Sequence, residues 1–136
     1  MKVFIDTNVV LDVLAKRPAF YDDAAAIWSL CEQGRITGFI AAVSGTNIYY
    51  IIHKLSDHRT AMKAMVQLRD IFTFATCDGQ VMTQATDARM PDFEDAVQYF
   101  SALHAGAELL VTRNPKHFPR AAIPVVTPKE FLATLA

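Results

Sequence analysis

The sequence predicts an α/β fold in three layers (α/β/α), with a mostly parallel five-stranded sheet between two layers of helices. Short apolar runs rich in β-branched residues alternate with longer segments whose apolar residues recur at helical spacing, the pattern of successive β–α–β units. Such units connect by right-handed crossovers and therefore place strands parallel. The 136 residues, of which 52% are hydrophobic, suffice for one packed domain, and we expect residues 1–136 to form it.

Each predicted strand is a short apolar run that ends at a polar or turn residue. The five runs are residues 3–5, 39–43, 72–75, 109–111 and 125–126. Helices are predicted between them from their apolar spacing and end signals: Asp22 and Asp23 suit a first turn, Gly34 the position after a helix end, and Pro128 the start of the last helix. The residues predicted to point inward from the fourth helix, 60–70, are Met62, Met65, Val66 and Leu68.

Composition and charge exclude several functional classes. The formal net charge is −1, so no global field attracts the chain to nucleic acid, and binding there requires a local patch or a cation. Cys31 and Cys77 have no metal or redox spacing, which favours a reduced intracellular chain. Charges interrupt every apolar run of signal-peptide or transmembrane length, so we expect a cytoplasmic protein without membrane contact.

The first predicted strand ends in a carboxylate, Asp6. Ligands of open α/β sheets bind beyond the carboxyl ends of the strands, where the strand order reverses, so Asp6 is placed for chemistry. An alternative is that Asp6 only caps the following helix. A second acidic group, Asp92, Glu94 and Asp95, opens a later helix, where Asp92 and Asp95 share a face and Glu94 projects elsewhere. An alternative is that Asp92 only caps this helix, but that would explain one helix end and nothing else.

The acids predict a divalent cation if they converge. Two carboxylates about 4 Å apart repel by about 4 kcal/mol at an effective dielectric constant near 20, and a bound dication relieves that repulsion. A site of oxygen ligands without clustered Cys or His favours Mg²⁺ or Mn²⁺ over Zn²⁺. We therefore expect Asp6 and Asp95 to hold one ion, with Asp92 as an additional ligand.

Three segments together resemble the PIN-domain nucleases, including the toxins of VapBC-type toxin–antitoxin pairs. They are Asp6-Thr7-Asn8-Val9 with Leu11-Asp12, then Asp92-Phe93-Glu94-Asp95-Ala96, and Thr112-Arg113-Asn114 followed by His117-Phe118. Their order and spacing match the family over essentially the whole chain. The resemblance implies a Mg²⁺- or Mn²⁺-dependent ribonuclease of α/β/α fold, with Asp6, Asp92 and Asp95 as catalytic and metal-binding acids.

The chain departs from the family pattern at three positions. Asn47 stands where a glutamate is usual, Asn114 where a fourth carboxylate often lies, and His117 where an aspartate is common. Both asparagines can still offer carbonyl oxygens, so we expect weaker metal binding rather than none.

Other residues are predicted to support this chemistry. Thr7, Asn8 and Thr112 are expected to orient ligands or water, with Asn47 and Asn114 as supporting groups. The most basic local stretch contains Arg113, Lys116, His117 and Arg120, which we expect to contact RNA phosphates. Residues 48–52 are apolar around much of a helix, which indicates either burial or a docking surface. With the family resemblance, this stretch suggests a homodimer and an antitoxin-like small protein as partner.

Two alternatives stay open. A catalytically weakened domain that binds RNA or a protein without cleavage is favoured by Asn47. A phosphotransfer or receiver-type domain is the other. It is disfavoured because Asn8 stands where an aspartyl nucleophile would want an acid, and because neither a strand-end lysine nor a glycine-rich phosphate loop is found.

Overall fold

The five strands form one fully parallel sheet in the computed structural model, which describes residues 1–135. The strands are β1 (Lys2–Ile5), β2 (Thr37–Ala41), β3 (Thr73–Ala75), β4 (Leu109–Val111) and β5 (Val125–Val126). Their order across the sheet is β3-β2-β1-β4-β5. The chain therefore builds outward from β1 to β3 and then returns to the other side of β1, which makes the junction of β1 and β4 the switch point of the sheet.

Helices cover both faces of this sheet. They are α1 (Thr7–Leu14), α2 (Tyr21–Glu32), α3 (Gly45–Leu55), α4 (His58–Ile71), α5 (Gly79–Ala88), α6 (Phe93–His104) and α7 (Pro128–Thr134). Alternate residues of β1 enter different cores. Val3 and Ile5 pack with α1, α2, α3, α4 and α7, whereas Phe4 packs with α6 on the opposite face. The predicted three-layer α/β/α fold with a five-stranded sheet is confirmed.

The residues predicted to mark helix ends do lie at helix ends in the structure. Asp22 and Asp23 lie in the first turn of α2, and Gly34 follows its C-terminus with φ of +73°, a left-handed conformation that glycine adopts without strain. Pro128 begins α7 after Thr127, whose side chain forms a capping box with Glu130.

Two predictions about elements were wrong in detail. The second strand lies two residues earlier than predicted, because Thr37 pairs with Lys2, and Ala42–Ser44 form a 3₁₀ turn that leaves Val43 half exposed. In α4, Met62 and Val66 are exposed, and the buried residues are Ala61, Ala64 and Leu68. The small alanines allow close approach to the core, which the sequence pattern of larger residues does not reveal.

The apolar stretch 48–52 in α3 is largely buried. Ile48 and Ile52 belong to the core, Tyr49 and Ile51 are partly buried, and Tyr50 is exposed. Of the two possibilities for this stretch, burial therefore describes most of it.

Candidate active site

Asp6 lies at the switch point of the sheet, directly after β1. Its backbone N–H donates to the carbonyl oxygen of Val111 at the end of β4 (2.9 Å), so the two strand ends remain side by side. Its side chain also caps α1 by accepting the backbone N–H of Asn8 (3.1 Å). Asp6 therefore does cap α1, as the alternative proposed. It is also only 4% exposed and accepts further hydrogen bonds from other elements.

Two neutral side chains hold the carboxylate of Asp6. The hydroxyl of Thr112, which follows β4, donates to Oδ2 at 2.6 Å. The amide Nε2 of Gln98, in the middle of α6, donates to Oδ1 at 3.2 Å. These donors orient the carboxylate without neutralising its charge. Oδ1 accepts two hydrogen bonds, from Asn8 and Gln98, whereas Oδ2 accepts one and retains capacity for another ligand.

Gln98 connects Asp6 to the next residue as well. Its Oε1 accepts the backbone N–H of Thr7 (3.0 Å) and lies 3.2 Å from the Thr7 hydroxyl. That hydroxyl is also 2.8 Å from Oγ of Ser44, and its single proton serves one of these acceptors at a time. Gln98 is buried and was not identified from the sequence, although its position three residues after Asp95 places both on one helix face.

Asp95 is the second acid of the pocket. Its side chain is 15% exposed, and His117 Nδ1 lies 3.2 Å from its Oδ2. Burial and the negative charges of Asp6 and Asp92 raise the pKa of Asp95 to about 6, while His117 opposes that rise. The charge of Asp6 contributes to the raised pKa of Asp95, so the two carboxyl groups lie within one electrostatic field. Their mutual repulsion is not compensated by an arginine or lysine among the ion pairs of residues 1–135.

The remaining acids of this group have different roles. Asp92 caps α6, because its Oδ1 accepts the backbone N–H of Asp95 at 2.9 Å. Glu94 lies in the first turn of α6. Burial and the charges of Asp6 and Asp92 raise its pKa, so it also lies within the acidic field. We call Asp6, Asp92, Glu94 and Asp95 the acid pocket.

Arg113, expected to contact RNA, has protein partners instead. Its guanidinium carbon lies 4.1 Å above the centre of the Phe20 ring, and its Nε is 3.0 Å from Oδ2 of Asp12. Arg113 Nε and Asp12 Oδ2 are within ion-pair distance but are not aligned for a hydrogen bond. Arg17 approaches the other oxygen of Asp12 at 3.4 Å. The charge of Arg113 is therefore used to balance the fully buried Asp12.

The other predicted residues lie at the surface. Lys116 and Arg120 are exposed on the segment after β4, where His117 has already been placed beside Asp95. Asn114 is exposed, and its backbone N–H donates to Oγ1 of Thr112 (3.2 Å), while Asn8 is exposed in the first turn of α1. Asn47 is exposed in α3 and lines a groove together with Glu94.

The donor set suits a hydrated hard cation rather than an ion enclosed by protein ligands. Within residues 1–135, no three His, Cys, Asp or Glu side chains converge as a metal-ligand cluster, so the predicted set of Asp6, Asp92 and Asp95 is not assembled. Mg²⁺ commonly uses only one or two carboxylates and completes its shell with water and substrate phosphate. Asp6 and Asp95, with unbalanced charge and oxygen ligands, meet that requirement.

Fold and pocket together define a small α/β/α protein with acidic side chains at the switch point of a parallel sheet. The family model described as PIN domain matches residues 2–116. The chain belongs to the PIN-domain family. It is 25% identical over 134 residues to Ribonuclease VapC1 of Aquifex aeolicus (strain VF5). The matched segment covers 96% of this chain and 92% of the relative.

Solved structures share the fold at lower identity. A chain in the crystal structure of VapBC2 from Rickettsia felis bound to a promoter DNA fragment has a TM-score of 0.70 and 16% identity, covering 93% of this chain and 97% of that one. VapBC-1 from nontypeable Haemophilus influenzae gives a TM-score of 0.69 and 16% identity, covering 95% and 99%. FitAcB from Neisseria gonorrhoeae gives 0.63 and 15%, covering 93% and 98%.

No helix within residues 1–135 has both the length and the apolar character needed to cross a bilayer.

Proposed function

We propose that this protein is a divalent-metal-dependent endoribonuclease that hydrolyses RNA phosphodiester bonds and acts as the toxin of a toxin–antitoxin pair. The observation that carries the proposal is the acid pocket, in which the charges of Asp6 and Asp95 face each other without an arginine or lysine partner in the described chain. PIN-domain membership and the similarity to a ribonuclease of the VapC type support the same reaction class.

The cofactor would be Mg²⁺ or Mn²⁺, held by Asp6 and Asp95. When bound, such an ion lowers the pKa of a coordinated water and stabilises negative charge that develops at the phosphorus. The family's usual glutamate is Asn47 here, so the chain supplies fewer charges and should hold the ion more weakly than a four-carboxylate site.

The protein's own residues prepare this site for the substrate. Thr112 and Gln98 fix the orientation of the Asp6 carboxylate from both sides, so little reorganisation is needed when the phosphate arrives. Asp92 fixes the start of α6 and thereby the position of Asp95. Lys116 and Arg120, exposed on the segment after β4 that also carries His117, would contact RNA phosphates.

His117 would contact the substrate side of the pocket. Its Nδ1 lies 3.2 Å from Oδ2 of Asp95, and its side chain is 54% exposed, so the ring is within reach of an RNA bound at the acids.

A small antitoxin-like protein and a second copy of the chain are the proposed partners. Support comes from the similar solved structures, two of which are of VapBC proteins. A second candidate function, binding of RNA or a protein without cleavage, is favoured by Asn47 alone.

The test is cleavage of single-stranded RNA in Mn²⁺ or Mg²⁺ by the purified chain and by the Asp6→Asn and Asp95→Asn variants. Asp57→Asn is the matched control, because it makes the same exchange at the cap of α4 and asparagine also caps helices well. We expect the wild type and the control to cleave, and both pocket variants to lose at least about 100-fold in rate. Equal rates in all four proteins would refute the nuclease assignment. RNA binding without cleavage by the wild type would establish the second candidate.

A further inference from the structure

Three exposed apolar side chains surround one groove beside the acid pocket. Phe93 and Val43 are each 50% exposed and Met82 is 39% exposed, and together they line a cavity of about 290 Å³. Single exposed apolar residues are ordinary, but several around one concave surface indicate a binding site. We call this cavity the base groove.

The base groove is continuous with the acid pocket. Ser44 lines the groove and its Oγ is hydrogen-bonded by the hydroxyl of Thr7, the residue that follows Asp6. Glu94 lines the groove as well, and it is the residue before Asp95. A ligand group in the groove would therefore be a near neighbour of any phosphate held at Asp6.

The charge of the groove excludes a phosphate as its own occupant. Of the described residues that line it, none is lysine or arginine, and its polar side chains include Asn47 and Glu94. An ionised carboxylate only accepts hydrogen bonds, whereas a side-chain amide both donates and accepts. The groove therefore suits a neutral, flat, apolar group that carries a hydrogen-bond donor on its edge.

We propose that the base groove binds one unstacked nucleobase of a single-stranded RNA, stacked on Phe93, with its exocyclic amino group directed at Glu94 and Asn47. The proposal rests on the ribonuclease function, because it places this base next to the scissile phosphate at Asp6 and Asp95. Adenine, cytosine and guanine carry such an amino group, with two N–H donors, whereas uracil offers only the single N3–H between two carbonyl oxygens that an acidic side chain repels, so uracil is disfavoured at this position.

A purely apolar side chain of a protein partner fits the groove less well. It would cover Glu94 and Asn47 without satisfying their hydrogen bonds, which costs free energy. A nucleobase satisfies both requirements, because its face is apolar and its edge is polar, and aromatic side chains bind single-stranded nucleic acid in this way.

The first test compares Phe93→Leu with Phe93→Tyr in single-turnover cleavage of single-stranded RNA with Mn²⁺. Leucine removes the aromatic face and tyrosine keeps it. We expect Phe93→Leu to raise the half-saturating enzyme concentration by roughly 5- to 150-fold and Phe93→Tyr to stay within about threefold of wild type. Met62→Ala is the control, since it removes another exposed apolar side chain, on α4, and should leave the half-saturating enzyme concentration unchanged. Unchanged urea midpoints establish that the variants fold.

The second test measures binding of fluorescent oligo(A), oligo(C) and oligo(U) to the wild type and to Glu94→Gln. The wild type should bind oligo(A) and oligo(C) more tightly than oligo(U), and Glu94→Gln should narrow that difference. If the wild type binds all three oligonucleotides equally tightly, the proposed recognition of the exocyclic amino group is wrong.

The outcomes separate this inference from the proposed function. If the wild type cleaves RNA and Phe93→Leu has the same half-saturating concentration, the base groove is not a nucleobase site while the nuclease stands. If Phe93→Leu affects only the yield of a co-purifying protein, the groove binds a protein and the inference is wrong. If the wild type neither binds nor cleaves RNA, both proposals fall together.

Discussion

Two buried aspartates near opposite ends of helix α1 have opposite electrostatic surroundings. Asp12 is fully buried between Arg17 and Arg113, which approach its two oxygens. Asp6 is 4% exposed and receives hydrogen bonds only from neutral groups, chiefly Thr112 and Gln98. The first carboxylate is balanced inside the protein, whereas the second faces other carboxylates.

This difference separates a structural charge from a functional one. Burial raises the pKa of Asp12, and the charges of Arg113 and Arg17 at its two oxygens oppose that rise without cancelling it. In the acid pocket, burial and like charges act in the same direction on Asp95, and His117 opposes them only partly. A group that the fold leaves unbalanced requires an external cation when it is ionised. The comparison predicts opposite consequences for stability and activity at the two sites.

The largest effect on stability is expected at Asp12. Asp12→Ala leaves Arg113 partly buried without its carboxylate, and we expect the free energy of unfolding to fall by about 3 kcal/mol, the low end of the range for a broken buried ion pair because both arginines keep some exposure. Urea unfolding measures the loss. A loss below about 1 kcal/mol, the value for exposed pairs, would remove the distinction between the two aspartates.

The acid pocket should destabilise the metal-free protein as pH rises. The pKa of Asp95 is about 6 in the folded chain and near 3.9 when unfolded, so the folded state binds more protons between these values. The proton on Asp95 therefore stabilises the folded state fully below pH 4, and this stabilisation is lost as pH rises through 6. In EDTA, we expect wild-type stability to fall by about 2 kcal/mol more than that of Asp95→Asn between pH 4 and 7. Parallel pH profiles of the two proteins would contradict the assignment.

Divalent metal should reverse that loss at pH 7. A metal concentration of ten times Kd is expected to stabilise the folded state by about 1.4 kcal/mol. Asp57→Asn should retain this gain and Asp6→Asn should lose it, which thermal unfolding in MnCl₂ and in EDTA can measure. An equal gain in both variants would mean that the ion binds elsewhere.

The smallest effect is expected from restoring the family's usual acid at the groove. Asn47→Glu adds a carboxylate at an exposed position, so its attraction for the ion is strongly screened. We expect Mn²⁺ affinity to rise about fivefold, or about 1 kcal/mol, with a faster cleavage rate. Exchange of the neighbouring exposed Thr46 for glutamate is the control for added charge alone. A gain in that variant equal to the gain from Asn47→Glu would show that position 47 has no special geometry.

The fold could be predicted from the sequence because its signals are local. The runs at 109–111 and 125–126 are the strands β4 and β5, and Asp92 is the cap of α6 as its position before an apolar helix suggests. The predictions that were wrong concern features that depend on tertiary packing. The second strand begins at Thr37 because of its pairing with Lys2, and the buried face of α4 is built on Ala61 and Ala64 rather than on its methionines and valine.

The pocket was only partly predictable, since its contacts join residues distant in sequence. Asp6 and Asp95 could be placed at element ends by pattern. Gln98 could not, because a polar residue in the middle of a helix usually faces solvent, and its role depends on packing of α6 against β1. Arg113 resembles a phosphate-binding residue until the structure places Asp12 and Phe20 beside it.

The most direct test of a cation held by the acid pocket is calorimetric titration of Mn²⁺ into the wild type, Asp6→Asn, Asp95→Asn and Asp57→Asn at pH 7. We expect one ion per chain in the wild type and in Asp57→Asn, and at least a tenfold weaker Kd in each pocket variant. Wild-type affinity in either Asp6→Asn or Asp95→Asn would contradict the account.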